Sequence, residues 1–138
     1  MWIPRLAVFF PTIVALAACA HPGSQGLPAA QTGADLFQKH CASCHGSQAH
    51  GDGPSAHSVN IPVPDLTRIA ARNGGEFPAE KVYRIIDGQW EIPAHGTRPM
   101  PLWGYEFYGD EGDDETQHRE AEKKIDSLVA YLASLQRR

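Results

Sequence analysis

The chain has 138 residues, 42% hydrophobic and 20% charged, which argues for one globular domain. A formal net charge of −4 excludes the basic footprint of a nucleic-acid-binding protein; any charge-steered partner would present a basic face. The three cysteines form a close pair, Cys41 and Cys44, and a lone Cys19, which excludes an even disulfide framework.

Residues 1–18 carry one charge, Arg5, followed by an apolar run over 6–18 broken only by Pro11 and Thr12. The run is too short for a membrane-spanning helix and fits the core of a signal peptide. It ends Leu16-Ala17-Ala18-Cys19, which resembles the bacterial lipoprotein box, where the signal is cut just before the cysteine. The resemblance implies that Cys19 becomes a lipid-modified first residue. It places the domain outside the cytoplasm, on the periplasmic face of a bacterial membrane. Anchoring through several acyl chains would be stable rather than transient. The alternative is an ordinary secretory signal in which Cys19 is incidental. Removal of 1–18 leaves 11 basic and 16 acidic residues, a net −5.

Residues 19–32 are rich in Pro, Gly, Ser, Ala and Gln, lack an apolar period, and are expected to form a flexible tether. A domain over 33–138 follows. Its first helix is expected over 33–44, with Thr32 as N-cap, Asp35 in the first turn, and Phe37, Cys41 and Cys44 on one face. Residues 46–66 should be irregular, because Gly51-Asp52-Gly53-Pro54 is a turn and Ile61-Pro62-Val63-Pro64 cannot lie inside a helix. A second helix is expected over 66–73, stopping at Gly74-Gly75. A third starts near Pro78, carries Val82, Ile85 and Ile86, and ends at Gly88.

Residues 89–108 contain Pro93, Gly96, Pro99, Pro101 and Gly104 and are expected to be loop. The acidic stretch 110–115 lacks the ligand spacing of a calcium loop and reads as a solvated segment. The last helix, over 117–135, puts Ala121, Ile125, Leu128, Leu132 and Leu135 on one stripe, widened by Val129. Arg137 and Arg138 complement its dipole. There is no internal repeat and no convincing strand. The expected fold is all-α: about four short helices and long loops, with little apolar core of their own. A large buried prosthetic group would supply the missing interior.

Cys41-Ala42-Ser43-Cys44-His45 is the C-x-x-C-H pattern of c-type haem attachment. Cysteines three apart on a helical turn face the same way, so both sulfurs can form thioethers with one porphyrin. The adjacent His45 can then reach the iron. A zinc site would need four ligands, and no second cysteine pair exists. A thioredoxin-like dithiol would need a βαβ context, which is absent.

From this point the chain resembles the class I mono-haem cytochromes c. The resemblance rests on Gly33-Ala-Asp-Leu-Phe37 leading into Cys41-Ala-Ser-Cys-His-Gly46, then Gly51-Asp-Gly-Pro54, Pro64-Asp-Leu-Thr67, Met100-Pro-Leu-Trp-Gly104 and Leu128-Val-Ala-Tyr-Leu132, in the family's order. It implies the cytochrome c fold around one covalent haem c, with the first and last helices crossing near it. Gly33 or Ala34 with Phe37 would then meet Leu128, Tyr131 or Leu132.

Met100 lies 55 residues after His45, where the family places its distal methionine, and Met1 falls in the signal. Met100 is therefore the candidate sixth ligand, held in a loop stiffened by Pro99 and Pro101. A soft, neutral thioether favours ferrous iron. Packing alone is the other role open to Met100, and His95 is the runner-up ligand. His40, His50, His57 and His118 are expected at the surface. A metal-bound histidine commonly donates its second nitrogen to a carbonyl; the resemblance points to Pro64, with Pro62 as the alternative. Trp90, Trp103 and Tyr105 are candidates for the haem edge, with core packing away from the haem equally open to them; Arg68, Arg72 and Arg98 could pair with its propionates, but each is expected to be solvated.

The leading function is a tethered one-electron carrier, not an enzyme. It would take electrons from a dehydrogenase or quinol-oxidising complex and pass them to an oxidase, reductase or soluble cytochrome. A cytochrome subunit of a larger oxidoreductase is a related version. The rival classes are a haem enzyme or gas sensor with an open sixth position, and a thiol–disulfide exchange lipoprotein.

Overall fold

A computed structural model describes residues 29–88, 100–108 and 115–137. The signal segment, Cys19, Trp90, His95, Arg98 and the acidic stretch up to residue 114 lie outside them. Among the described residues there are helices and no strands: α1 (Ala29–His40), α2 (Ala42–His45), α3 (Ile69–Arg72), α4 (Ala79–Asp87), α5 (Trp103–Tyr108) and α6 (Glu115–Ser134). Two 3₁₀ turns, Ala56–Ser58 and Leu66–Arg68, punctuate the long connection between α2 and α3. No helix among the described residues is long and apolar enough to cross a membrane.

The all-α expectation holds, with differences at element ends. α1 starts at Ala29, so Ala29–Thr32 form its first turn rather than the end of a tether, and Thr32 is not its N-cap. Alanine is the strongest helix former, and two of these four residues are alanine. The single helix expected over 33–44 breaks at Cys41, and α2 restarts from there. Asp65 caps the Leu66–Arg68 turn through the Thr67 N–H. Gly88 ends α4 in the left-handed conformation, its N–H bonded to the Arg84 carbonyl. α5 falls inside a stretch expected to be loop.

α1 and α6 form the main packing pair, and their contact needs Gly33. A Cβ at that position would lie 2.6 Å from the Ser127 carbonyl carbon and 2.8 Å from the Tyr131 Cβ. One turn on, the Phe37 and Tyr131 rings pack with centroids 5.4 Å apart. Phe37, Val82, Ile86, Ile125, Leu128 and Leu132 make one buried cluster joining α1, α4 and α6. Each such side chain contributes about 1.5–3 kcal/mol on full burial. The expected stripe on α6 is the buried face, except that Leu135 is only half-buried.

Candidate haem site

Directly beneath this core lies a cavity of about 640 Å³. That volume is in the range of sites that enclose whole cofactors. Cys41, Cys44, His45 and Met100 all line it. The walls are largely apolar, with Phe37, Val82, Ile85, Ile86, Leu128 and Leu132 continuing the core to its surface.

The α1–α2 junction builds the cysteine end. The Cys41 N–H still bonds to the Phe37 carbonyl at 2.9 Å, and the His45 N–H bonds to the Cys41 carbonyl at 2.9 Å. That turn places both sulfurs and the His45 ring on the cavity. The two thiols are free rather than disulfide-bonded. Burial, reinforced by the neighbouring Cys44, pushes the Cys41 thiol up to about 12. Among the described residues no group of three or more His, Cys, Asp or Glu could hold a metal ion.

His45 is held by the loop that follows. Gly46 (φ 78°) and Ala49 (φ 61°) are left-handed, and the Gly51 N–H bonds back to the His45 carbonyl at 2.8 Å. Ala49 is fully buried, and its carbonyl accepts from the Leu66 N–H at 2.8 Å. The His45 Nδ1 is buried and meets no partner in hydrogen-bond geometry. The Pro64 carbonyl lies near enough to favour the protonated ring, but burial outweighs it and lowers the pKa. A half-buried imidazole with a buried Nδ1, a carbonyl acting on its ring and a cavity beside it is suited to bind metal through the other nitrogen. The residues present therefore fit a covalently held haem.

The remaining candidates divide. Trp103 lines the cavity, whereas Tyr105 is 67% exposed and does not. Arg72 lines it and donates to the Asp65 carbonyl at 2.8 Å; Arg68 is exposed and is not part of the wall. Pro62 lines the cavity, but the carbonyl beside His45 is that of Pro64. His57 and His118 are exposed as expected. His40 and His50 are not: both are half-buried.

His40 forms part of the cavity wall, edge-on to Trp103 and to Phe107 with centroids 5.4 Å apart in each case. Burial, then Lys39 and Lys124, lowers its pKa. The signal was present in its position three residues after Phe37 on the same helical face. Asn73 and Lys81 also reach the cavity and were not singled out. Lys81 precedes Ile85 by one turn, so the period of α4 could have found it. Asp87 gave no such signal. It is buried, and α5 approaches it so closely at Gly104 that a Cβ there would lie 2.7 Å from the Asp87 carbonyl oxygen.

A family model described as Cytochrome c matches residues 30–136. No curated protein and no solved structure matches the chain. The match spans nearly all the described residues and both ends of the cavity, and the helical fold agrees with it. The chain belongs to the cytochrome c family: an all-α fold of the class I type that carries one covalent haem c, with a role in haem-based electron transfer.

Proposed function

We propose that this chain is a membrane-tethered one-electron carrier in which Cys41 and Cys44 hold the haem and His45 and Met100 are the axial ligands. The observation that carries the reading is the shared cavity: two free thiols, a half-buried histidine and Met100, the sole methionine after Met1, all line one apolar space. When bound, the haem supplies an iron couple that changes by one electron without binding substrate.

The chain's own residues set the terms of that exchange. His45 would hold the haem through Nε2 and keep its remaining proton on Nδ1, with the Pro64 carbonyl the backbone group that acts on the ring. The Met100 thioether favours the reduced state. Val82, Ile86 and Leu128 exclude water from the core side of the cavity. Arg72 and Lys81 supply cationic groups for propionates. Were His45 and Met100 both to hold the iron, no position would be left for a substrate, which is why the reading is a carrier rather than an enzyme.

Cys19 would anchor the chain by lipid and place the domain in the periplasm. Redox proteins are its partners: a dehydrogenase or quinol-oxidising complex as donor, and an oxidase, reductase or soluble cytochrome as acceptor. The test is a haem stain on a denaturing gel with intact mass. The wild type should stain and should outweigh the Cys41→Ser/Cys44→Ser variant by one haem beyond the mass of the substitutions themselves, and the variant should not stain. Stain that persists in the double variant would overturn the attachment.

A further inference from the structure

We propose that Gln136 and Arg137, with His50, act as positioning residues that hold the Pro64 carbonyl against His45 and thereby tune the electron affinity of the iron. The inference rests on the reading of His45 as an axial ligand.

Proline has no N–H, so Pro64 cannot anchor its own peptide by donating. Yet its carbonyl is the backbone group that acts on the His45 ring, whose buried Nδ1 meets no partner in hydrogen-bond geometry. The strength of such a bond sets the basicity of the metal-bound imidazole. What fixes Pro64 therefore matters to the iron. One support comes from the loop before it: a Cβ at Gly51 would lie 3.1 Å from both the carbon and the oxygen of the Pro64 carbonyl.

The other support comes from the far end of the chain. The Gln136 amide is fully used: Nε2 donates to the Leu66 carbonyl at 2.9 Å and to the Leu132 carbonyl at 2.7 Å, and Oε1 accepts from the Ala70 N–H at 2.9 Å. The Arg137 N–H donates to the Thr67 carbonyl at 2.9 Å. These bonds pin the segment immediately after Pro64 to the end of α6.

A second line runs through side chains. An Arg137 guanidinium nitrogen lies 3.1 Å from His50 Nε2, and His50 Nδ1 lies 3.5 Å from Asp65 Oδ1. Arginine only donates, so Nε2 of His50 accepts and Nδ1 carries the proton toward Asp65. Asp65 Oδ1 also accepts from the Thr67 N–H at 2.9 Å and hydroxyl at 2.7 Å. Pro64 is thus flanked by a residue gripped from both sides. Neither Gln136 nor Arg137 lines the cavity, so neither acts by contact with the iron; Gln136→Ala and His50→Ala leave the Arg137 charge in place and so separate the brace from a through-space effect of that charge.

The experiment compares wild-type holoprotein with Gln136→Ala, Arg137→Ala, Arg137→Lys and His50→Ala. It reads the midpoint potential, the exchange rate of the His45 Nδ1 proton by NMR, and Tm. Loosening the brace weakens the Nδ1–H···O=C bond, makes the imidazole a poorer donor and favours ferrous iron. The alanine variants should raise the ferrous-to-ferric ratio at fixed potential by about threefold to tenfold, and tenfold corresponds to about 59 mV for one electron. Nδ1 exchange should speed up, and Arg137→Lys should return both readings toward wild type. His50→Ala cuts the side-chain line without touching the Gln136 bonds, so it answers even if Gln136→Ala fails to fold. A fall in Tm with potential and exchange unchanged would overturn the proposal and leave a purely structural clamp. A wild type without haem stain would instead overturn the haem attachment itself.

Discussion

Gly33 of α1 and Ser127 of α6 meet backbone against backbone, with no room between them for a methyl group. This contact sets the distance between the two helices whose inner faces roof the haem cavity. Phe37, one turn after Gly33, and Leu128, next to Ser127, are both buried and both line that cavity. The crossing is therefore tied to the site: helix separation there would move cavity walls as well as core.

Gly33→Ala tests this directly. Inside a helix, alanine is favoured over glycine by about 1 kcal/mol, so propensity alone predicts a more stable protein. Overpacking costs about 1–3 kcal/mol and here the obstacle is backbone, which cannot rotate away. The net effect should be a lower Tm of the holoprotein, by about 4–8 °C for each kcal/mol lost in a domain of this size. A higher Tm would show that the helices have slack.

His40 should make stability fall in mild acid. Its folded pKa lies below the ordinary 6.5, first because of burial and then because of Lys39 and Lys124. Between that lowered value and 6.5 the unfolded chain binds more protons than the folded one. The contribution is full above pH 6.5 and is lost as the pH drops through the folded value. Its half-exposed position keeps the effect modest. His40→Phe retains an aromatic ring against Trp103 and Phe107 but cannot titrate, so Tm against pH should flatten below 6.5. An unchanged slope would mean that another group carries it.

The proposed anchor predicts a change of phase. Wild-type protein from the native host should partition into detergent and stay with membranes in high salt. A chain in which an ordinary cleavable secretory signal replaces residues 1–18 and serine replaces Cys19 should move to the aqueous phase with its haem spectrum intact. Detergent partitioning that survives the substitution would remove Cys19 from the account.

The sequence made the site more legible than the fold around it. Cys41, Cys44 and His45 are a local pattern whose chemistry depends on spacing alone, and α6 shows its buried face through a long, regular apolar period. α5 was hidden because Trp103-Gly-Tyr-Glu-Phe-Tyr108 follows a proline and consists mostly of residues of weak helix propensity. It forms through packing: Trp103 and Phe107 pair one turn apart with centroids 5.6 Å apart, and Gly104 lies against Asp87. The start of α1 was hidden for a related reason, since Ala29–Thr32 carry no cap and no apolar stripe. The Gln136 clamp joins residues 66 and 70 positions apart in the chain, and nothing local announces such pairs.

Ligation of the iron by Met100 separates a carrier from a haem enzyme or gas sensor, and one spectrum tests it. The oxidised holoprotein should show a sulfur–iron charge-transfer band in the near-red, and Met100→Ala should abolish it while the covalent haem stain remains. A wild-type spectrum without that band, unchanged by Met100→Ala, would contradict the six-coordinate electron-transfer site.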